Sequence, residues 1–188
     1  MLPTAATDQG DNEPMGLRDR REARRGTTNH RYRMRQKLVS IGDDYWIEDA
    51  SGERQFKVDG KAVRIRSTLI LEDNQGNPLY KIQERKARIR DTMQVDDSAG
   101  NAAATVKKAL VSPLRERWNV ALTDGDDLTI KGNLVDHEYT IDGPAGTVAS
   151  VSKKWFRVAD TYGVEVIDGQ NVALLLALTA VVDQMAHG

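Results

Sequence analysis

Between residues 45 and 169, short stretches of alternating apolar and polar residues are broken by turns at a regular step. The segments 45–58 (YWIEDASGERQFKV), 68–82 (TLILEDNQGNPLYKI) and 92–106 (TMQVDDSAGNAAATV) each read as strand, turn, strand. Each turn is Asp-x-x-Gly: Asp49/Gly52, Asp73/Gly76 and Asp97/Gly100. An aspartate there can accept a hydrogen bond from the backbone two residues on, and glycine supplies the positive φ of the closing position. The glycines are 24 residues apart, and one further step reaches Asp124-Gly125 inside 121–130 (ALTDGDDLTI), a hairpin signal flanked by apolar residues. Later turns are expected over Asp142 to Gly146 and at Asp168-Gly169.

A 24-residue period is one hairpin plus its two connections. Six such units from Arg31 to Gly169 predict about twelve strands in a meander, which must close or fold over to hide its edges. Alternation supports this. Trp118, Val120 and Leu122 fall on one face, as do Tyr162, Val164 and Val166; Val63, Ile65, Leu69 and Leu71 read as one face of a single strand.

The C-terminal segment differs. Residues 172–182 (VALLLALTAVV) are apolar on every side of a helix, with Asp168 or Asn171 placed to cap its start. Such a helix has no face for water and must be enclosed. Eight strands fill their own interior, whereas eleven or twelve leave room for a central helix. The pattern therefore predicts a mainly β fold: a closed antiparallel barrel of about twelve strands enclosing a hydrophobic helix over about 171–186.

Composition narrows the picture. At 188 residues the chain fits one domain, with a formal net charge of -1 that gives no global bias toward polyanions. It has no cysteine, which removes disulfides, thiolate zinc sites and cysteine nucleophiles, and fits a reducing cytoplasm. Residues 1–29 carry no hydrophobic periodicity and read as a weakly ordered basic tail, leaving 30–188 as the barrel domain. No signal-peptide apolar run is present near Met1. The apolar run 172–182 would extend about 16 Å as a helix, against about 30 Å for a bilayer core, so no transmembrane span is expected.

Catalytic and metal motifs find little support. His30, His137 and His187 are isolated in sequence and read as surface or structural histidines, so no metal site and no cofactor is expected. Asp124-Gly-Asp-Asp127 is acidic enough to raise calcium, but it lacks the EF-hand ligand spacing and suits a hairpin turn. No Gly-x-Ser-x-Gly elbow or phosphate-cradling glycine loop occurs, and Ser150-Val-Ser-Lys153 lacks the companion motifs of a Ser-x-x-Lys enzyme. The expectation is a protein that is not an enzyme.

Several segments carry a family resemblance. They are 31–38 (RYRMRQKL), the repeated Asp-x-x-Gly hairpins, 152–157 (SKKWFR), 160–166 (DTYGVEV) and the closing apolar helix. Together they resemble the LURP-one-related proteins, similar in fold to the tubby C-terminal domain and the phospholipid scramblases. The resemblance implies a twelve-stranded barrel threaded by a hydrophobic helix. It also brings in phosphoinositide binding from tubby-like domains and a calcium link from scramblases, with no residue role carried over.

Charge alternates along the repeat. The Asp-Gly turns carry Glu48, Asp49, Glu72, Asp73, Asp96, Asp97, Asp124, Asp126, Asp127 and Asp142. The alternate connections carry Arg85, Lys86, Arg88, Arg90, Lys107, Lys108, Arg115, Arg117, Lys153 and Lys154, diluted by Asp43, Asp44 and Asp59. In an up-and-down barrel these connections lie at opposite ends, giving one acidic and one basic rim. The expected ligand site for an anionic headgroup is Arg85, Lys86, Lys107, Lys108, Lys153 and Lys154. The leading reading is a cytoplasmic binding module, peripheral at a membrane, that docks on anionic lipid or phosphoinositide. A protein-interaction or regulatory scaffold is the alternative, and a calcium-linked scramblase-like activity is a remote third. With no RNP-like aromatics and no exposed recognition helix, nucleic acid is not an expected partner.

Overall fold

The structure is a computed structural model that describes residues 29–35, 45–63, 66–84, 92–109, 116–156 and 161–187. Twelve strands run β1 (His30–Arg35), β2 (Tyr45–Asp49), β3 (Arg54–Val63), β4 (Arg66–Asp73), β5 (Pro78–Glu84) and β6 (Thr92–Asp97), then β7 (Ala102–Lys108), β8 (Glu116–Leu122), β9 (Leu128–Asn133), β10 (Glu138–Gly143), β11 (Gly146–Ser152) and β12 (Thr161–Val166). A short 3-10 turn (Lys153–Trp155) follows β11, and helix α1 (Val172–His187) ends the described chain. Each strand pairs antiparallel with its sequence neighbours, and β1 pairs with β12 to close the barrel.

The Asp-x-x-Gly units form a repeated hairpin. In the first three, the Gly52, Gly76 and Gly100 N–H groups donate to the Asp49, Asp73 and Asp97 carbonyls at 3.1, 3.2 and 3.0 Å. The three glycines adopt φ of 87°, 87° and 86°, which L side chains rarely tolerate. A β-bulge follows in each: Gln55, Leu79 and Ala103 are passed over by the strand register, again 24 residues apart. These bulges twist the ribbon so that a meander can curl into a barrel.

One strand expected from alternation is two. Val63 pairs with Arg66 across a tight connection, so β3 ends and β4 begins inside the segment read as continuous, and Ile65 lies outside the described residues. Residues 63–66 (VRIR) carry no glycine, proline or other turn signal, and the apolar parity continues across the reversal. Leu69 and Leu71 do face the core, at 4% and 0% exposure. The residues expected to form the tail lie, apart from Asn29, outside the described residues.

Asn171 caps α1. Its side-chain oxygen accepts from Leu174 N at 3.0 Å, and its amide donates to Tyr80 Oη on β5 at 3.0 Å, tying the cap to the wall. From Leu175 to Asp183 every residue is buried, whereas Val172, Ala173 and Leu174 are only partly so. Enclosure is thus complete one turn later than the apolar run suggests. Leu176, Leu178, Val181 and Val182 meet inward residues such as Ile47, Leu71, Val95, Trp118, Ile141 and Val164 in one core. Each fully buried leucine contributes about 1.5–3 kcal/mol, so the wall and the helix stabilise one another.

Candidate functional site

Because every connection is antiparallel, alternate connections fall at opposite ends of the barrel. At the Asp-Gly end, carboxylates are largely committed to structure. Asp49 Oδ1 accepts from Ser51 N and Glu53 N at 2.8 and 3.1 Å. Asp73 Oδ1 accepts from Gln75 N and Asn77 N, both at 2.8 Å, and Asp97 Oδ1 from Ala99 N and Asn101 N at 2.9 and 2.8 Å. These bonds hold all three carboxyls below the usual range; the Ser51 hydroxyl dominates at Asp49, the Asn77 side chain at Asp73 and the Asn101 N–H at Asp97. Asp142 sits on the wall, bonded to Lys131 Nζ and Thr147 Oγ1, each at 2.7 Å. The Asp124 turn is exposed, and Asp127 Oδ1 accepts from Leu122 N at 3.3 Å. Among the described residues, no group of three His, Cys, Asp or Glu side chains could hold a metal ion.

The other end collects cations. Lys107 and Lys108 close β7 and are exposed; Lys153 and Lys154 form the 3-10 turn after β11. Counted from the turn glycines of the opposite end, both pairs lie seven and eight residues on, from Gly100 and from Gly146. Lys107 and Lys153 make no ion pair among the described residues. Lys154 Nζ reaches Glu138 Oε2 at 3.2 Å, while Ser152 Oγ donates to Glu138 Oε1 at 2.9 Å. Burial pushes the Glu138 carboxyl up, but those bonds and the Lys154 charge outweigh it and hold it below its usual value. Arg85 and Lys86 lie outside the described residues.

The topology keeps the two lysine pairs apart. β7 and β11 stand four places apart in the barrel, about 19 Å along the wall at about 4.8 Å per strand. Long side chains cannot converge on one small group over that distance, so the end presents an arc of charge. Arg35, overlooked in the sequence, extends it: it is exposed at the same end of β1, two places from β11. Its signal was its parity with Arg31 and Arg33, which pair with Glu165 and Glu48 and leave the third outward arginine without a carboxylate among the described residues.

Beneath this arc lies a polar cluster that sequence reasoning also missed. His137 Nε2 is 2.6 Å from Asp183 Oδ1, and Tyr162 Oη donates to Asp183 Oδ2 at 2.7 Å. The His137 ring stacks on Tyr162 with centroids 4.3 Å apart. Tyr45, Tyr139 and Tyr162 surround the carboxylate; burial raises all three phenols well above their usual range, and the Asp183 charge adds to it. His137 has φ of 52°, a left-handed conformation that histidine adopts more readily than bulky residues. The available signal was Asp183 itself, a carboxylate directly after an apolar run that has to be enclosed.

The 152–157 and 160–166 segments meet on the outer wall. Trp155 and Phe156 lie over Gly163, where an added Cβ would come within 2.6 and 2.9 Å of their rings, and the Arg31 guanidinium stacks 4.9 Å from the Trp155 ring. They cover the β12–β1 closure.

No helix among the described residues is long and apolar enough to cross a membrane. No curated protein matches the chain. Among solved structures it is similar to the X-ray structure of a protein from Arabidopsis thaliana, with 20% identity and a TM-score of 0.63 over 83% of this chain and 90% of that one. That likeness shows the fold. The model of the LURP-one-related family matches residues 30–183, which takes in all twelve strands and α1 as far as Asp183. The chain belongs to the LURP-one-related family.

Proposed function

We propose that this domain is a non-catalytic binding module that docks on anionic lipid headgroups, phosphoinositides included, through the basic end of its barrel. The observation that carries the reading is the gathering of cations at one end of the barrel. Lys107, Lys153 and Arg35 make no ion pair among the described residues, while Asp49, Asp73, Asp97 and Asp142 at or near the other end are taken up by hydrogen bonds. Each lysine or arginine near an anionic membrane surface contributes about 1 kcal/mol, within a Debye length of about 10 Å at 0.1 M salt. An arc about 29 Å long from β7 to β1, six places at about 4.8 Å each, suits several headgroups of a surface better than one enclosed ligand. The buried His137–Asp183 pair, at 0% and 2% side-chain exposure, is sealed from solvent and supports a structural role there.

Co-sedimentation with phosphatidylserine or phosphoinositide vesicles, at low and at physiological salt, tests this. Binding should be salt-sensitive and should fall at least about tenfold when Lys107, Lys108, Lys153 and Lys154 are changed to Glu. Asp124→Asn with Asp126→Asn, on the opposite exposed turn, should leave it unchanged. Binding indifferent to the four lysine changes, or no binding at low salt, would overturn the reading and favour a protein-interaction scaffold.

A further inference from the structure

We infer that the bond between Asp168 and Gly169 is a covalent modification site, where the folded chain rearranges spontaneously to an isoaspartyl linkage. The chain holds four Asp-Gly pairs, Asp59-Gly60, Asp124-Gly125, Asp142-Gly143 and Asp168-Gly169, and no Asn-Gly. The chemistry is the same at each. The glycine amide nitrogen bonds to the carbonyl carbon of the preceding side-chain carboxyl. The nitrogen's proton and the carboxyl's hydroxyl leave together as water, and a five-membered succinimide closes. Water then opens the ring. Attack at the side-chain carbonyl restores aspartate. Attack at the main-chain carbonyl leaves the chain running through the side chain, with one extra methylene in the backbone and the α-carboxyl free. Glycine favours the reaction because no side chain obstructs the nitrogen and its backbone turns freely.

The fold separates the four pairs. Asp59 and Gly60 lie inside the β3–β4 ladder, opposite Ile70 and Leu69, where the pairing holds the backbone extended. Asp142 is fastened to the wall: its carboxylate accepts from Lys131 Nζ and Thr147 Oγ1 at 2.7 Å and from Thr140 Oγ1 at 3.2 Å. Those partners favour the ionised carboxylate, which has no hydroxyl to lose. Asp124 and Gly125 are exposed, but among the described residues no hydrogen bond brings the Gly125 nitrogen to the Asp124 carboxyl. At the fourth pair, Gly169 N donates to Asp168 Oδ1 at 3.0 Å, so the attacking nitrogen already touches the carboxyl it must join. Solvent reaches the site, because the Asp168 side chain is 63% exposed with His30 Nε2 at 3.5 Å. The turn is also free to rearrange. It is closed by a 3.3 Å bond from Gln170 N to Ile167 O, and a Cβ added at Gly169 would meet nothing within 4 Å. The extra methylene would enter the connection between β12 and the Asn171 cap of α1.

The test is to hold the full chain for weeks in mildly acidic buffer made with heavy-oxygen water, once folded and once in urea. Electron-transfer fragmentation of the peptides then reads the linkage at each Asp-Gly pair, and opening of the succinimide places one solvent oxygen in the product. In the folded protein, labelled isoaspartate at position 168 should exceed that at each of the other three at least about threefold. In urea, where only the local sequence acts, the four should come within about twofold of one another. Asp168→Glu keeps the carboxylate but must close a slower six-membered ring, and should remove the product at this position. Asp168→Asn, which loses ammonia in place of water, should raise it. Isoaspartate centred on position 124, the same pattern in folded and urea-treated protein, or none at 168 while the urea sample forms it, overturns the inference.

Discussion

The imidazole of His137 and the carboxylate of Asp183 lie 2.6 Å apart inside the barrel, although 46 residues separate them in the chain. The contact fastens the last turns of the central helix to the β9–β10 turn. Tyr162 shares the same carboxylate, so three elements meet at one group. Removing the carboxylate leaves the His137 ring and the Tyr162 hydroxyl buried without that partner. Asp183→Ala should therefore lower stability by about 2–5 kcal/mol in urea unfolding. Asp183→Asn, which keeps an acceptor, should lose less. A loss below about 1 kcal/mol for the alanine variant would show that the contact does not secure the helix.

Acid should weaken the hairpins. Hydrogen bonds lower the Asp49, Asp73 and Asp97 carboxyls from 3.8, so the stability they contribute is fully present above that value and lost as pH falls through the lower folded values. Thermal melts from about pH 7 to about pH 2 should show a fall beginning near pH 4. A triple variant with Asn at these positions keeps one acceptor oxygen at each turn and should show a flatter profile in that window. Equal slopes would mean that other carboxylates govern acid unfolding.

Two glycines should respond very differently to alanine. At Gly132, with φ of 141°, an added Cβ would lie 2.5 Å from the Glu138 carbonyl oxygen and 2.6 Å from Tyr139 Cα, so backbone would have to move. At Gly76 the space is open and only the left-handed φ resists. Gly132→Ala should lose about 3 kcal/mol or more, and Gly76→Ala about 1–2 kcal/mol, by denaturant titration. The reverse order would contradict the close approach of β9 and β10.

The enclosed helix gives the fourth expectation. Leu176 has 0% exposure, and Leu176→Ala should cost about 2–5 kcal/mol. Leu175→Asp buries an unpaired charge and should abolish soluble expression. Asn171→Ala removes both the cap and the bond to Tyr80, and should cost about 1 kcal/mol or somewhat more. A monomeric, cooperatively folding chain truncated after Gln170 would contradict the mutual dependence of wall and helix.

Much of the architecture was legible because its causes are local. The Asp-x-x-Gly signal sits within five residues, and it marked the first three hairpins where Gly52, Gly76 and Gly100 take positive φ. The β3–β4 reversal was missed because its connection carries no turn residue and the alternation does not break there. The bulges at Gln55, Leu79 and Ala103 were missed for a related reason: a bulge is a property of two strands in register, and neither sequence alone marks it. At the candidate site, the lysine pairs could be assigned to one end from the count of residues, but not their separation around the wall.

By itself, then, the sequence determined a meander of about twelve strands, a helix that needed enclosing, and the end of the barrel at which most connections lie. Turn chemistry and apolar periodicity act over a few residues and survive without tertiary context. Tertiary structure decided which distant residues meet: His137 with Asp183, Tyr80 with Asn171, Arg31 with Glu165, and Trp155 with Gly163 across the closure. Those meetings depend on the register and twist accumulated over all twelve strands before β1 reaches β12, and a one-residue slip in any hairpin would turn the following side chains to the other face.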